Sequence, residues 1–210
     1  MTAPAIRLDL ARLRRAATLL RRLTGIRVEI DPAEFRPVHP PRCVKHAALV
    51  GQLADGLRPV LPPGRSLAQL AGVALDDRSA SYVVPDLVVC PTEVLRSESS
   101  HLCPQGVDII VEVVVRHAAP VPVERAVDRY AAAGVRALLV VDPRPVTAAG
   151  TGTWALHTEP VGGHYWATTR GTFGAGAPRS DTRTIALPRP FRGELSVATL
   201  PVYDYGPART

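Results

Sequence analysis

Lysine is almost missing from this chain: Lys45 is the only one, and the other 24 basic residues are arginine. Nearly every candidate catalytic lysine is thereby removed. Cysteine is scarce as well, and Cys43, Cys90 and Cys103 form no even disulfide framework. His101 and Cys103 follow Cys90 closely in sequence, but the CxxC or HxxxH pairs of a metal knuckle are lacking. The cysteines therefore read as isolated reduced thiols, and Cys90 and Cys103 have no nucleophile signature beside them. No signal peptide and no apolar run of membrane-spanning length occurs, which predicts a cytoplasmic protein. Internal repeats and low-complexity tails are absent too.

What is present suits a globular protein. A length of 210 residues and 46% hydrophobic content predict one domain over 1–210. Within it, 1–60 reads as a helical N-terminal part, 78–142 as the core region and 150–205 as a β-rich end. The formal charge of +6 and pI near 9.8 are compatible with a polyanionic partner such as DNA, although many proteins of this charge never meet one.

From Ile6 to Leu23, apolar Ile6, Leu10, Leu13, Ala17 and Leu20 recur at helical spacing while Arg12, Arg15 and Arg22 fall off that face. The arginine side could lie along phosphates or simply face water. IRVEI then reads as a short strand with Glu29 toward solvent. Pro32, Pro37, Pro40 and Pro41 predict a loop into the next helix, about Val44 to Leu57, with Leu49, Leu53 and Leu57 along one side. SLAQLAG reads as a weaker helical piece. Further on, GTWALHT, GHYWATTR and TRTIALP read as strands, the first two joined at Gly162-Gly163. The span from Gly171 to Ala177 reads as a flexible loop, and the C-terminal PRPFRGELSVATLPVY as a cover over one edge. The pattern as a whole is α/β or α+β.

Between Ser81 and Asp142 lie an apolar strand SYVVPDLVVC carrying Asp86, a second strand VDIIVEVVV carrying Glu112, a helix VPVERAVDRYAAAGV and a third apolar run ALLVVD. An acid in an apolar run costs several kcal/mol unless it is paired, protonated or metal-bound. Asp86 shares a strand face with Val84 and Val88, and Glu112 with Ile110 and Val114. If the two strands are neighbours, the acids converge into the hard oxygen environment that suits Mg²⁺ or Mn²⁺. Plain alternatives exist for each: Glu112 paired with an arginine, Asp86 starting a strand through a side-chain-to-backbone bond, and His46 as a surface histidine at a helix start. Tyr130, Trp154, Tyr165 and Trp166 read as core or sheet-face aromatics.

The ordered set PDLVV, DIIVEVVV, a helix ending DRYAAAGV, and ALLVVDP, with the spacing Tyr130, Gly134, Asp142, resembles the "putative restriction endonuclease" family of bacterial proteins in the PD-(D/E)XK nuclease superfamily. RVEI and the helix opening KHAALVGQLA extend the resemblance backward, with His46 where that family often has a histidine, and WALHT and IALPRPF extend it forward. The resemblance implies a restriction-endonuclease-like central mixed sheet flanked by helices, with a β-rich C-terminal part. It further implies Mg²⁺ held by Asp86, Glu112 and the Val113 carbonyl, and hydrolysis of DNA phosphodiesters, often by homodimers. Departures are concentrated after Glu112. The family's turn reads Val115-Arg116-His117-Ala118 here, its aspartate position is Pro122 and its lysine position is Ala126. Arg125 and Arg129 are the candidate replacements for the lysine on the same helix, but arginine is always protonated and donates protons poorly. A weakened or inactive nuclease therefore stands beside an active one. The competing class is a non-catalytic nuclease-fold module that binds DNA or a protein partner.

Overall fold

A computed structural model describes residues 12, 15–17, 19–20, 27–31, 34–38, 44–75, 82–97, 101–115, 123–147, 150–178 and 183–203. A six-stranded mixed sheet, order β10-β9-β8-β7-β6-β3, forms its centre. Its strands are β3 (Arg65–Gln69), β6 (Leu87–Pro91), β7 (Ile109–Val113), β8 (Ala137–Asp142), β9 (Gly152–Val161) and β10 (His164–Phe173). Only β7 and β8 run parallel, joined through helix α2 (Val123–Ala132), and the other pairs are antiparallel. Both faces of β7 and β8 are covered, which explains their near-continuous aliphatic sequence.

One face of this sheet packs on helix α1 (Val44–Leu57). Leu49, Leu53 and Leu57, spaced at one helical turn, are all fully buried against Val89, Val111, Leu139 and their neighbours. The hairpin of β11 (Thr184–Ala186) and β12 (Glu194–Ser196) adds Ile185, Leu195 and Val197 to the same cluster. Each such leucine contributes roughly 1.5–3 kcal/mol by leaving water. The opposite face packs on Val127 and Tyr130 of α2, and on a four-stranded sheet of order β2-β1-β5-β4. That sheet is built from β1 (Arg27–Asp31), β2 (Glu34–Val38), β4 (Val73–Ala74) and β5 (Tyr82–Val83). Val73 and Val83 bring it against Val88 and Ile110.

Several expectations from the sequence give way here. The proline-rich segment is not all loop: β2 pairs antiparallel with β1 and sits at the sheet margin, where proline is tolerated. SLAQ is strand β3 rather than helix, because edge pairing with β6 supplies its backbone partners. SYVVPDLVVC is two strands in two sheets, broken at Val84-Pro85-Asp86. Gly171 and Phe173 belong to β10, not to a flexible loop. A Cβ on Gly171 would lie 2.5 Å from the Trp154 ring, and one on Gly152 2.5 Å from Phe173, so each glycine lets a cross-strand aromatic lie flat on the sheet. Of the two places open to Trp166, core or sheet face, it takes the sheet face on β10, 82% exposed. The C-terminal segment packs against α1, with Leu195 touching Gly56, rather than closing an edge.

Other expectations survive. α1 has the predicted bounds, β9 and β10 form the predicted hairpin, and Gly162 and Gly163 turn it with φ of 60° and 86°. Ala17 is buried while Arg12 and Arg15 are exposed, as the first helix's spacing requires. Ile6, Leu10, Leu13, Arg22, the side chain of Glu29 and Cys43 lie outside the described residues.

Candidate functional site

The two acids come level with one another just before β6 and near the end of β7. Leu87 pairs with Val111 and Val88 with Ile110, so the same antiparallel register, continued by one position, sets Asp86 opposite Glu112. Pro85 ends β5's path, and Asp86 occupies the bend before β6 rather than a strand position beside Val84. Freed from the pleat, its carboxylate turns over the sheet end. Oδ2 accepts the Val113 N–H at 2.8 Å, and Oδ1 lies 3.1 Å from His46 Nε2.

His46 is not the surface residue its place at a helix start suggested: it is 4% exposed. A carboxylate only accepts, so Nε2 carries the hydrogen toward Asp86, and Nδ1 faces the Tyr203 hydroxyl at 3.2 Å. Tyr203 arrives from the far C-terminal segment, and Lys45 Nζ reaches the neighbouring Val202 carbonyl at 3.5 Å. The sequence held no signal for this contact, because 157 positions separate the partners.

Glu112 keeps its predicted face with Ile110 and Val114, and its Oε1 accepts the hydroxyl of Tyr130 on α2. Tyr130 is thus both a core residue, 2% exposed, and a polar clamp. A signal for that second role did exist: Ala126 lies four residues before Tyr130, so both share the helix face turned to the Glu112 side of the sheet. Ala126 is half-buried there, Arg129 is half-buried beside Tyr130, and Arg125 is exposed.

Other titratable residues stand apart. Cys90 is buried, and burial together with the nearby Asp108 charge pushes its thiol up, which keeps it protonated and inert. Cys103 is exposed, with its Sγ donating to Gln105 Oε1 at 2.7 Å. Among the described residues no three His, Cys, Asp or Glu side chains gather as a metal cage. Asp108, just before β7, went unnoticed in the sequence. It is buried between Arg65, at 2.5 Å, and Arg136, at 3.7 Å.

Among the described residues, a large mixed sheet with α1 on one face and α2 on the other makes a mixed α+β fold. A crystal structure from Anabaena variabilis described as a "putative nuclease belonging to DUF820" is similar in fold, with TM-score 0.53 and 15% identity over 70% of this chain and 78% of that one. The model of the family described as Uma2, "Putative restriction endonuclease", matches residues 16–165. The chain belongs to that family. No curated protein matches it. No helix among the described residues is long and apolar enough to cross a membrane.

Proposed function

We propose that this chain is a DNA endonuclease of the divalent-metal-dependent kind, attenuated by the loss of the lysine on α2. One observation supports the reading: the β6–β7 register, Leu87 with Val111 and Val88 with Ile110, brings Asp86, just before β6, level with Glu112 on β7. In an extended strand the N–H and C=O of one residue leave the same edge, so the Val113 carbonyl points toward the side where its N–H meets Asp86.

Two carboxylates and one carbonyl are a hard, all-oxygen donor set. They fit Mg²⁺ or Mn²⁺, which keep several waters and need few protein ligands. A metal bound there supplies a more acidic water and neutralises charge on the phosphate. The chain's own residues do the positioning. His46 and the Val113 N–H hold the Asp86 carboxylate, and Tyr130 holds that of Glu112. Arg129 and Arg125 bring positive charge to α2, but neither can donate a proton to a leaving oxygen as lysine can.

A second reading, a nuclease-fold module that holds DNA without cutting it, is favoured by Ala126 itself. Thermal melting separates the two. Mn²⁺ should raise the melting temperature of the wild type, and Asp86→Ala or Glu112→Ala should abolish the shift. A wild type that melts at the same temperature with and without Mn²⁺ or Mg²⁺ sinks the metal site and leaves the binding module. Cytoplasmic location and homodimerisation belong to the same proposal, and size-exclusion chromatography with light scattering reads the latter. One domain over 1–210 is likewise proposed, and a single melting transition tests it.

A further inference from the structure

On the acid face α2 rests on the tip of the β9–β10 hairpin, where Asp128 meets His164, and leaves the rest of that hairpin face open. A cleft of about 740 Å³ remains between α2 and that hairpin. Its size is that of a nucleotide-scale ligand site. Its floor is a set of cross-strand pairs in register: Thr153 with Thr172, Ala155 with Arg170, and His157 with Thr168. Ala155 is small, so the floor dips beside the arginine.

Charge within the cleft is unbalanced. Asp142 is held in a fork by Arg144, with Nη2 at 2.5 Å and Nε at 2.8 Å, and Asp128 lies 3.0 Å from His164. Both acids that line the cleft therefore have basic partners. Arg170, in the middle of the floor, has no carboxylate partner among the described residues. His157 is held toward its neutral form by burial and by the Arg170 charge, so it adds a dipole there rather than a second cation.

The cleft is also in line with the acids. Glu112 pairs with Val140, Val140 with Ala155, and Ala155 with Arg170, one row across four strands. Three strand spacings of about 4.8 Å put Arg170 roughly 14 Å from Glu112. A few nucleotides of an extended strand bridge that distance, and the intervening row positions are apolar.

We propose that the cleft between α2 and the β9–β10 hairpin seats a DNA strand, with a backbone phosphate on Arg170 and a neutral donor from the Thr153 hydroxyl. This rests on the DNA-directed reading above, in either its cutting or its merely binding form. Phosphate contacts of this kind set register without reading bases. The cleft thus fixes which phosphodiester lies over Asp86 and Glu112.

The test is fluorescence anisotropy with a labelled DNA oligonucleotide, single-stranded and duplex, over a NaCl series without divalent metal. Arg170→Ala should weaken binding about 10-fold at low salt and reduce the slope of log K against log salt by about one. Arg170→Lys should recover the slope, and Arg58→Ala, an exposed arginine at the end of α1, should change little. Equal losses in Arg170→Ala and Arg58→Ala, an unchanged Arg170→Ala, or no DNA binding by the wild type at low salt would overturn the assignment. Tighter binding of an RNA of the same length would overturn DNA as the occupant. Metal-dependent melting is followed in the same proteins. A weakened Arg170→Ala in a protein without a metal shift retains the cleft and rejects the endonuclease. A metal shift with Arg170→Ala binding like wild type does the reverse.

Discussion

Strand β7 separates a buried acid, Asp108, from a half-buried one, Glu112, and the two have different partners. Asp108, just before it, is 2% exposed at the side chain and lies between two guanidinium groups. Glu112, near its other end, is restrained by a phenol, and Asp86 across from it by an amide and an imidazole. Arginines neutralise Asp108 and leave it nothing to do but hold β3 and the start of β8 to β7. Asp86 instead accepts the Val113 N–H and faces His46 Nε2, and Glu112 accepts the Tyr130 hydroxyl. The difference teaches how to tell a clamp from a candidate site: Asp108 is sealed between two guanidinium groups, whereas Asp86 and Glu112 keep part of their surface open to solvent.

The comparison can be pressed from both sides. The largest expected effect is at position 126, where Ala126→Lys restores the missing cation over Glu112. Mn²⁺-dependent cleavage of plasmid DNA should rise about 10²–10³-fold, equivalent to roughly 3–4 kcal/mol; equal nicking by the two proteins would mean that the acids do not form a cutting site. On the clamp side, Arg65→Ala leaves Asp108 buried with only the distant, largely exposed Arg136. Urea unfolding should show a loss of about 3 kcal/mol, the low end for breaking a buried pair, and a loss under 1 kcal/mol would erase the distinction drawn here. Tyr130→Phe removes a restraint but no charge, so it should cost only about 1–2 kcal/mol in stability while weakening Mn²⁺ binding about 10-fold or more. A purely structural tyrosine would change the melting temperature and leave the metal affinity alone.

The smallest effect concerns pH. Burial first, and then Arg170, lower the pKa of His157 from its ordinary 6.5. The unfolded chain then binds the proton at a higher pH than the folded one, so stability is fully present above 6.5 and falls as the pH drops toward the lowered folded value. His157→Gln should flatten this part of the pH–stability curve measured by urea unfolding. An unaltered slope would assign the acid sensitivity elsewhere.

How far the residues alone reach can be judged from particular elements. The leucines of α1 and the aliphatic runs of β7 and β8 announce themselves, because a helix or strand buried on a fixed face needs apolar residues at a fixed period. SLAQ reads as helix because its local propensity is weak and its strand state depends on β6, twenty residues away. Pro37 reads as a breaker because edge and centre look alike in one dimension. Asp86 and Glu112 stand out as acids among aliphatics, whereas His46 looked like surface because its partners, Asp86 and Tyr203, come from distant parts of the chain. Arg170 and the cleft gave no sign at all, since an arginine in an alternating strand is the ordinary pattern of a solvated face.

The amino-acid sequence by itself determined the elements with strong periodicity, the Gly162-Gly163 turn, the membership suggested by PDLVV and DIIVEVVV, and the replacement of the helix lysine by Ala126. These follow from local rules: side-chain period, positive φ and residue identity. Only the tertiary structure decided that Asp86 faces Glu112, that His46 and Tyr130 hold them, and that Arg170 lies in their row. Those relations depend on which strands become neighbours, and that is settled by burying both faces of one sheet at once, a condition no short window of sequence contains.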